Sequence, residues 1–593
     1  MARQQAHAPP HRLCRAARHR ARRVLQQQRH LVGGWLLGPA GRHSRPRRPG
    51  VEGRRRRPPA EQRHVRRTRA DSGGHAVTQG RIFTAEDLTS DVTVDCDVCV
   101  IGSGAGGAWT ALELVNRGKR VVMLEEGGFH TRREFDMTEA RAFPNLYQEL
   151  GNRATDDLSI TMLQGRSVGG GTTVNWCSSF RTPQRIVDRW KHEHGIDTVT
   201  TEALTPHWDY IEQRLRIAEW PEAAMNANNR VLWDGLEKLG YTRGLIKRNV
   251  NGCLNIGYCG MGCPVDAKQS MLVTTIPDAV EKGLQLYANV SARVLDWGRN
   301  KINAVHAEVI DPVRNVPTGR RVTVKPKLTV VSGGAINSPG LLLRSGLDSE
   351  GRVGSRTWLH PVVAMLAEFP HEVKAFSGAP QSVYSHQFSE RGAGQVGFFL
   401  EVPPVHPMLG AIASSGTGAQ VQQLLTKLPY LNAMLAITID GLLPEETGAT
   451  VRLRDGANFR YSIKYDFQPA HWEAFRTACK EMAKIQFAAG AKKVLSLHAD
   501  PVVMEKPEDL DKLDRAQWEA VRLRVLTAHQ MGGCAMGKDP STSVVDPFLR
   551  YHSMDNLFIV DGSVLPTSLG VNPQETIFGI ARWAAKHIGE AVS

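Results

Sequence analysis

The sequence predicts an α/β fold in which a parallel-sheet domain is interrupted by insertions that build a second, α+β domain, behind a disordered Arg-rich N-terminal tail. Three observations predict it. A strand, a run of glycines, a helix, a second strand and an acid follow one another between Val98 and Glu125. Apolar segments able to continue such a sheet lie far apart, at 284–294, 327–332 and 556–560, so what separates them must be inserted. The 593 residues also exceed the size at which a single core stops growing.

The tail is set apart by charge. Its first 75 residues hold twenty Arg and no Lys against three acids (Glu52, Glu61, Asp71), which more than accounts for the formal +15 of the whole chain. Scattered His and Pro with almost no apolar periodicity leave too little surface to bury to offset the entropy of ordering, so residues 1–78 are expected to be disordered. Arginine without lysine reads like GC-rich DNA translated outside its frame, and the folded part is expected to begin near Gln79. The alternative reading of the tail is a nucleic-acid arm; no nucleic-acid partner is expected. Its one apolar stretch, Leu31 to Leu37, is broken by Gly33 and Gly34 and is too short to span a bilayer. Arg22-Arg23 ahead of it makes a poor twin-arginine signal. Nine cysteines in no dense framework fit a reducing compartment, and the expectation is a cytoplasmic protein without a transmembrane segment.

Val98-Cys99-Val100-Ile101 reads as a buried strand running directly into Gly102-Ser103-Gly104-Ala105-Gly106-Gly107. Ala108 to Arg117 reads as a helix, and Arg120 to Leu124 as a second apolar strand ending at Glu125. That order makes the glycine run a Rossmann-type dinucleotide site. Gly102 permits the turn, Gly104 lets the backbone approach a pyrophosphate, and Gly107 lets helix and strand pack closely. The phosphates sit at the helix N-terminus, and Glu125 accepts hydrogen bonds from the ribose hydroxyls. Cys96 and Cys99 lie three apart on the first strand, face opposite sides and form no redox pair. The nucleotide-binding domain is expected over 92–184, 281–354 and 521–593. The segments 185–280 and 355–520, richer in Trp, Tyr and Pro, are expected to form the second domain.

Two further segments carry chemistry. Gly165 to Asn175 sets Gly169-Gly170-Gly171 between the donors Arg166 and Asn175, and glycines without side chains let backbone N–H groups lie against phosphate or a flat ring. Near the C-terminus, His529-Gln530-Met531-Gly532-Gly533-Cys534 exposes an imidazole at a glycine turn after the apolar Val525-Leu526, and Gly570-Val571-Asn572-Pro573 offers an amide. An imidazole is the natural acceptor of a hydroxyl proton. A dinucleotide site and a base together predict transfer of a hydride from an alcohol carbon to a flavin.

These residues resemble the glucose-methanol-choline oxidoreductases, FAD enzymes acting mostly on alcohols, over nearly everything from Val92 onward. Gly165 to Asn175 looks like the family's first motif, and Gly334-Ala335-Ile336-Asn337-Ser338-Pro339 through Ser345-Gly346-Leu347 like its second. Val353-Gly354 through His360-Pro361 is similar to a third segment, and the stretches HQMGGCAMG and GVNPQET to the catalytic end. The resemblance implies a Rossmann-type FAD-binding domain with a discontinuous substrate (cap) domain. It implies FAD contacts at Gly102, Gly104, Ala105, Gly107 and Glu125, at Arg166, Gly169, Gly170, Thr172 and Asn175, and at Ala292, Asp561, Gly562 and Pro573. Val174 stands where some members carry a flavin-tethering His, which implies non-covalent FAD. His529 is then the base or proton relay while hydride moves to flavin N5, and Asn572 hydrogen-bonds the substrate oxygen. The other histidines, His360 included, are expected to be structural.

Cys253, Cys259 and Cys263 lie among glycines at spacings that let thiolates converge. Such a trio can ligate an iron-sulfur cluster or, less readily for want of a nearby fourth ligand, zinc, or can be simply structural; the spacing resembles the segment by which some FAD-dependent sugar dehydrogenases hold a three-iron cluster. A cluster implies a dehydrogenase of sugars or polyols that passes electrons to a protein carrier; its absence leaves O₂ or a quinone as acceptor. Ala267-Lys268-Gln269-Ser270 resembles instead the long-chain alcohol oxidase branch. The Leu-, Met- and Ala-rich stretch from Met408 to Leu443 points to an apolar small-molecule alcohol. A flavin-bound lyase of the hydroxynitrile lyase type, with the His in acid–base chemistry alone, is the alternative reaction.

Overall fold

The computed structural model describes residues 79–413, 417–454 and 460–592; the expected tail lies outside them. Seven strands of the first sheet are β1 (Arg81–Phe83), β2 (Val92–Ile101), β3 (Val121–Glu125), β4 (Gln285–Ala288), β5 (Val290–Gly298), β6 (Lys301–Ile310) and β7 (Pro317–Val331). They run in the order β1-β4-β3-β2-β7-β6-β5. β2 and β3 are parallel, Val98 opposite Val121 and Ile101 opposite Leu124. Val98, Cys99 and Val100 are wholly buried, as a strand covered on both faces requires. The helix α1 (Ala105–Asn116) begins three residues before the expected Ala108, with Gly104 at its N-cap. The strand expected at 284–294 is two strands. Asn289 turns left-handed at φ 57°, a conformation Asn tolerates, so β4 pairs parallel with β3 while β5 reverses to pair antiparallel with β6.

After β7 comes α2 (Gly334–Arg344), and the chain then enters the second sheet, whose principal strands are β8 (Val362–Glu368), β9 (Phe398–Glu401), β10 (Leu431–Thr438) and β11 (Val525–Thr527). They lie in the order β11-β8-β10-β9, with a short strand, Ile160–Met162, parallel to β11. The two-residue alternation of these strands divides their side chains cleanly. Val363, Met365, Met434, Ala436, Phe398 and Leu400 pack with Phe475, Ala478 and Met482 of α3 (Pro469–Ala488). Val362, Leu435 and Ile437 belong to the opposite face. β12 (Leu557–Ile559) then returns to the first sheet beside β7, and α4 (Gln574–Ala591) packs on α1. Among the described residues no helix is long and apolar enough to cross a membrane.

Candidate active site

A cleft of about 310 Å³ opens where the C-terminal ends of β2 and β3 meet the second sheet, the position at which open α/β sheets bind ligands. Its floor is the start of α1. Gly104, Ala105 and Gly106 line it, and the helix has no side-chain cap and no acid in its first turn. The first-turn N–H groups therefore keep their donors for a ligand, at the positive end of the helix dipole. A Cβ on Gly170, whose φ is +54°, would stand 2.6 Å from Gly104 Cα, so the second glycine loop lies directly against the first. A Cβ on Gly171 would meet open space. This cradle of bare backbone and free amides fits the pyrophosphate of FAD.

Gly107 sits behind that wall: its Cβ would be 2.0 Å from Gly102 O, which is the close packing expected of it. Glu125 lines the cleft, but its oxygens already take donors. Oε2 accepts the N–H of Ser103 at 3.0 Å and its hydroxyl at 2.6 Å, and Oε1 accepts the N–H of Gly127 at 2.8 Å. Burial raises its carboxyl, against these donors. Arg166 clamps rather than lines. Its Nε donates to Glu126 Oε1 at 2.8 Å, and the Ser291 hydroxyl donates to Glu126 Oε2 at 2.8 Å. Burial alone would raise Glu126, but Arg166, Ser291 and Arg293 override it and hold that carboxyl at about 2.

The second glycine loop is braced from within. Gly169 N–H donates to Ser103 Oγ at 3.0 Å, Gly170 N–H to Ser167 O at 2.7 Å, and the Thr172 hydroxyl to Gly169 O at 2.6 Å. Those two glycine amides, expected to lie against phosphate or a flat ring, are thus occupied by protein. Asn175 Nδ2 donates to Gln574 Oε1 at 2.7 Å. Ala292 lines the cleft, its carbonyl accepting from Arg344 Nη2 at 3.4 Å. Asp561 ties the end of β12 to the start of α2, accepting from Gly334 N–H at 2.8 Å, the Ser338 hydroxyl at 2.5 Å and Ser563 N–H at 2.8 Å. Gly562 and Pro573 complete the lining, Pro573 as the N-cap of α4.

β11 delivers His529 to the opposite wall, where Thr527 Oγ1 accepts its backbone N–H at 3.1 Å. The imidazole is half-buried, and burial pushes it down to about 4. Its Nε2 lies 3.3 Å from Asn572 Nδ2 and its Nδ1 lies 3.3 Å from His360 Nδ1. His360, which the sequence marks as structural, is therefore part of the site. It is wholly buried and left-handed at φ 46°, its turn pinned by Asp440, which accepts the N–H groups of Leu359 at 2.9 Å and His360 at 3.0 Å. Burial and the neighbouring His529 hold its imidazole well below the usual range.

The cysteine expectation is corrected. Among the described residues no group of three or more His, Cys, Asp or Glu side chains is placed to hold a metal ion, so an iron-sulfur site at Cys253, Cys259 and Cys263 is not supported. The reason lies in their partners. Cys259 hydrogen-bonds Cys177, a residue without a role in the sequence reading, and takes Arg248 Nη2 at 3.8 Å. Cys253 Sγ accepts the N–H of Asn255 at 3.4 Å. Buried Lys268 donates to the carbonyls of Thr173 at 2.6 Å, Asn175 at 3.0 Å and Cys259 at 2.7 Å, stitching the cysteine loop to the second glycine loop.

A Rossmann-type crevice ending on an uncapped helix, faced by an imidazole from the second sheet and an amide from the loop before α4, defines a dinucleotide-dependent oxidoreductase. The comparisons with known proteins specify it. The chain belongs to the GMC oxidoreductase family, matching its N-terminal family model over residues 143–362 and its C-terminal one over 444–581, and is an FAD-dependent enzyme acting on CH–OH donors. It is similar to a GMC-type oxidoreductase of Mycobacterium tuberculosis, 32% identical over 489 residues that cover 82% of this chain and 74% of that one. It is also similar to the long-chain-alcohol oxidase FAO4A of Arabidopsis thaliana, 28% identical over 533 residues, covering 86% and 70%. Its fold is that of the solved pyridoxine 4-oxidase from Mesorbium loti, with a TM-score of 0.63 at 19% identity over 83% of this chain and 99% of that one.

Proposed function

We propose that the protein oxidises an apolar primary or secondary alcohol to its carbonyl compound, with FAD held non-covalently in the cleft and O₂ as electron acceptor. The observation that carries this is the 3.3 Å between His529 Nε2 and Asn572 Nδ2 on the cleft wall. One hydroxyl oxygen placed there can donate its proton to the imidazole and accept from the amide. FAD, when bound, supplies the two-electron acceptor for the hydride. His529, at about 4, is unprotonated at neutral pH and free to take the proton. Behind it, His360 Nδ1 lies against His529 Nδ1 at 3.3 Å and His360 Nε2 accepts the N–H of Gly570 at 3.3 Å, which packs the two rings together on the cleft wall. The apolar preference is supported by Val362, Leu435, Ile437 and Leu526, which line the cleft on the side of the second sheet. The FAO relatives, named for long-chain alcohols, agree with it, as does the oxidase in their names with O₂.

Purified protein is expected to show flavin absorption without a broad iron-sulfur background, and a long-chain primary alcohol added anaerobically is expected to bleach it. A flavin that no alcohol reduces overturns the proposal and favours the lyase reading. A chain starting at Gln79 is expected to keep the full-length kcat and KM, since every residue of the proposed site lies beyond it. A loss of more than about threefold in kcat/KM, about 0.7 kcal/mol of transition-state stabilisation, would contradict that assignment.

A further inference from the structure

Asn572 serves the substrate only if its amide is turned the right way, and an Asn amide can exchange its oxygen and nitrogen by a half-turn with little change of shape. His529 alone does not fix it, because a neutral imidazole nitrogen is either donor or acceptor. A side chain outside the proposed mechanism does. Glu401, at the end of β9 and wholly buried, places Oε2 3.3 Å from Asn572 Nδ2. The same oxygen accepts from Gln381 Nε2 at 2.5 Å, and Gln381 Oε1 is held by the Ser178 hydroxyl at 2.8 Å. An oxygen fixed in this way accepts an N–H and repels a carbonyl.

Among the described residues, buried Glu401 Oε1 has no hydrogen-bond partner, and neither has buried Asn572 Oδ1. A charged carboxylate with one oxygen unmet in so dry a place is costly. A proton on Oε1 removes the charge and leaves Oε2 to accept. The surroundings agree. Tyr384 and Leu435 face Glu401 from the neighbouring strands, and His529 beyond Asn572 is neutral. Arg248 is the full charge that acts on it, and its guanidinium is engaged by the carbonyls of Pro380 and Gln381. Burial outweighs both the Asn572 hydrogen bond and Arg248, and raises the Glu401 carboxyl to about 8.

We infer that Glu401 is the positioning residue of this site: as a neutral carboxyl group it holds the Asn572 NH₂ toward the oxygen that His529 deprotonates. This rests on the reading of His529 and Asn572 given above. Ionisation of Glu401 would set a negative charge beside an oxygen that is itself becoming negative, so the reaction slows as Glu401 loses its proton.

The expected result for the holoenzyme is a kcat/KM that falls through a one-proton limb near pH 8. E401Q keeps an acceptor but cannot ionise. It is expected to lose less than about tenfold in kcat/KM at pH 7 and to lose the alkaline limb altogether, whereas E401L, with no acceptor, loses about a hundredfold while still binding flavin. Infrared difference spectra of resting wild type against E401Q at pH 7 are expected to show the C=O stretch of a protonated carboxyl only in wild type. The inference is overturned if that band is missing, if E401Q retains the limb, or if E401L turns over like wild type. Because the infrared band is read without substrate, its absence sinks this inference and leaves the alcohol reading standing, while a flavin that alcohols fail to bleach in a protein that still shows the band sinks the alcohol reading itself.

Discussion

His529→Ala lowers the rate of anaerobic flavin reduction by alcohol by about 10² to 10⁴, the range for loss of a positioned general base, while the protein remains yellow and folded. The argument is local. His529 stands on the cleft wall, half-buried, two residues past a three-residue strand, held by two 3.3 Å contacts to His360 and Asn572 and a backbone bond to Thr527. Truncating it leaves the helix N-terminus and both glycine loops untouched, so cofactor binding and chemistry separate. The pH dependence has a definite sign. The neutral imidazole is the active form and burial sets it at about 4, so the wild-type rate of flavin reduction falls as pH drops through that value and is flat above it up to the Glu401 limb. In His529→Ala the acid limb is absent. Stopped-flow reduction across that range decides the matter: reduction of the variant at the wild-type rate would move the base elsewhere.

The fold of the nucleotide half was readable because its parts are adjacent in the chain. Val98 to Glu125 states a strand, a turn, a helix N-terminus and a second strand within one stretch, and local periodicity and glycine chemistry suffice to interpret it. The acid–base half depends on strand pairing between remote segments, which periodicity does not report. Val362 of β8 pairs with Leu526 of β11, and that register carries His360 to the side of His529 across 169 positions of sequence. His360 read as structural because nothing near it in sequence is chemical. Glu401 was silent for the same reason: it ends an apolar strand and acquires meaning only when β9 and the loop before α4 meet. The cysteines misled in the opposite sense. Their spacing permits convergence, but spacing says nothing of Cys177, which interacts with Cys259, or of Lys268, which fixes the loop by its carbonyls. Asn289 shows the limit of an apolar run, since one left-handed residue turned an expected strand into two of opposite sense.

Gly106→Ala is expected to cost about 3 kcal/mol of stability, the upper end for overpacking, and to leave the protein largely without flavin. A Cβ there would lie 1.8 Å from Val560 O and 2.8 Å from its carbonyl carbon, so one of two backbones must move. Val560 is poorly placed to yield. Its N–H donates to Val331 O at 2.9 Å, and its carbonyl accepts the Ser332 hydroxyl at 2.6 Å, which locks it to β7. The helix must lift instead, and the lift carries away the uncapped N–H groups that line the cleft. Gly171→Ala separates the two consequences. Its Cβ meets nothing within 4 Å and its backbone needs no left-handed turn, so the fold keeps its melting temperature, yet the methyl projects from a residue that lines the cleft. Thermal melts with and without added FAD, beside the flavin content of the purified variants, distinguish them: Gly106→Ala loses both stability and flavin, Gly171→Ala flavin affinity alone. A Gly106→Ala protein that melts with the wild type and stays yellow would mean that α1 can retreat from β12 without leaving the cofactor, and the close approach of helix to strand would then not be what builds the site.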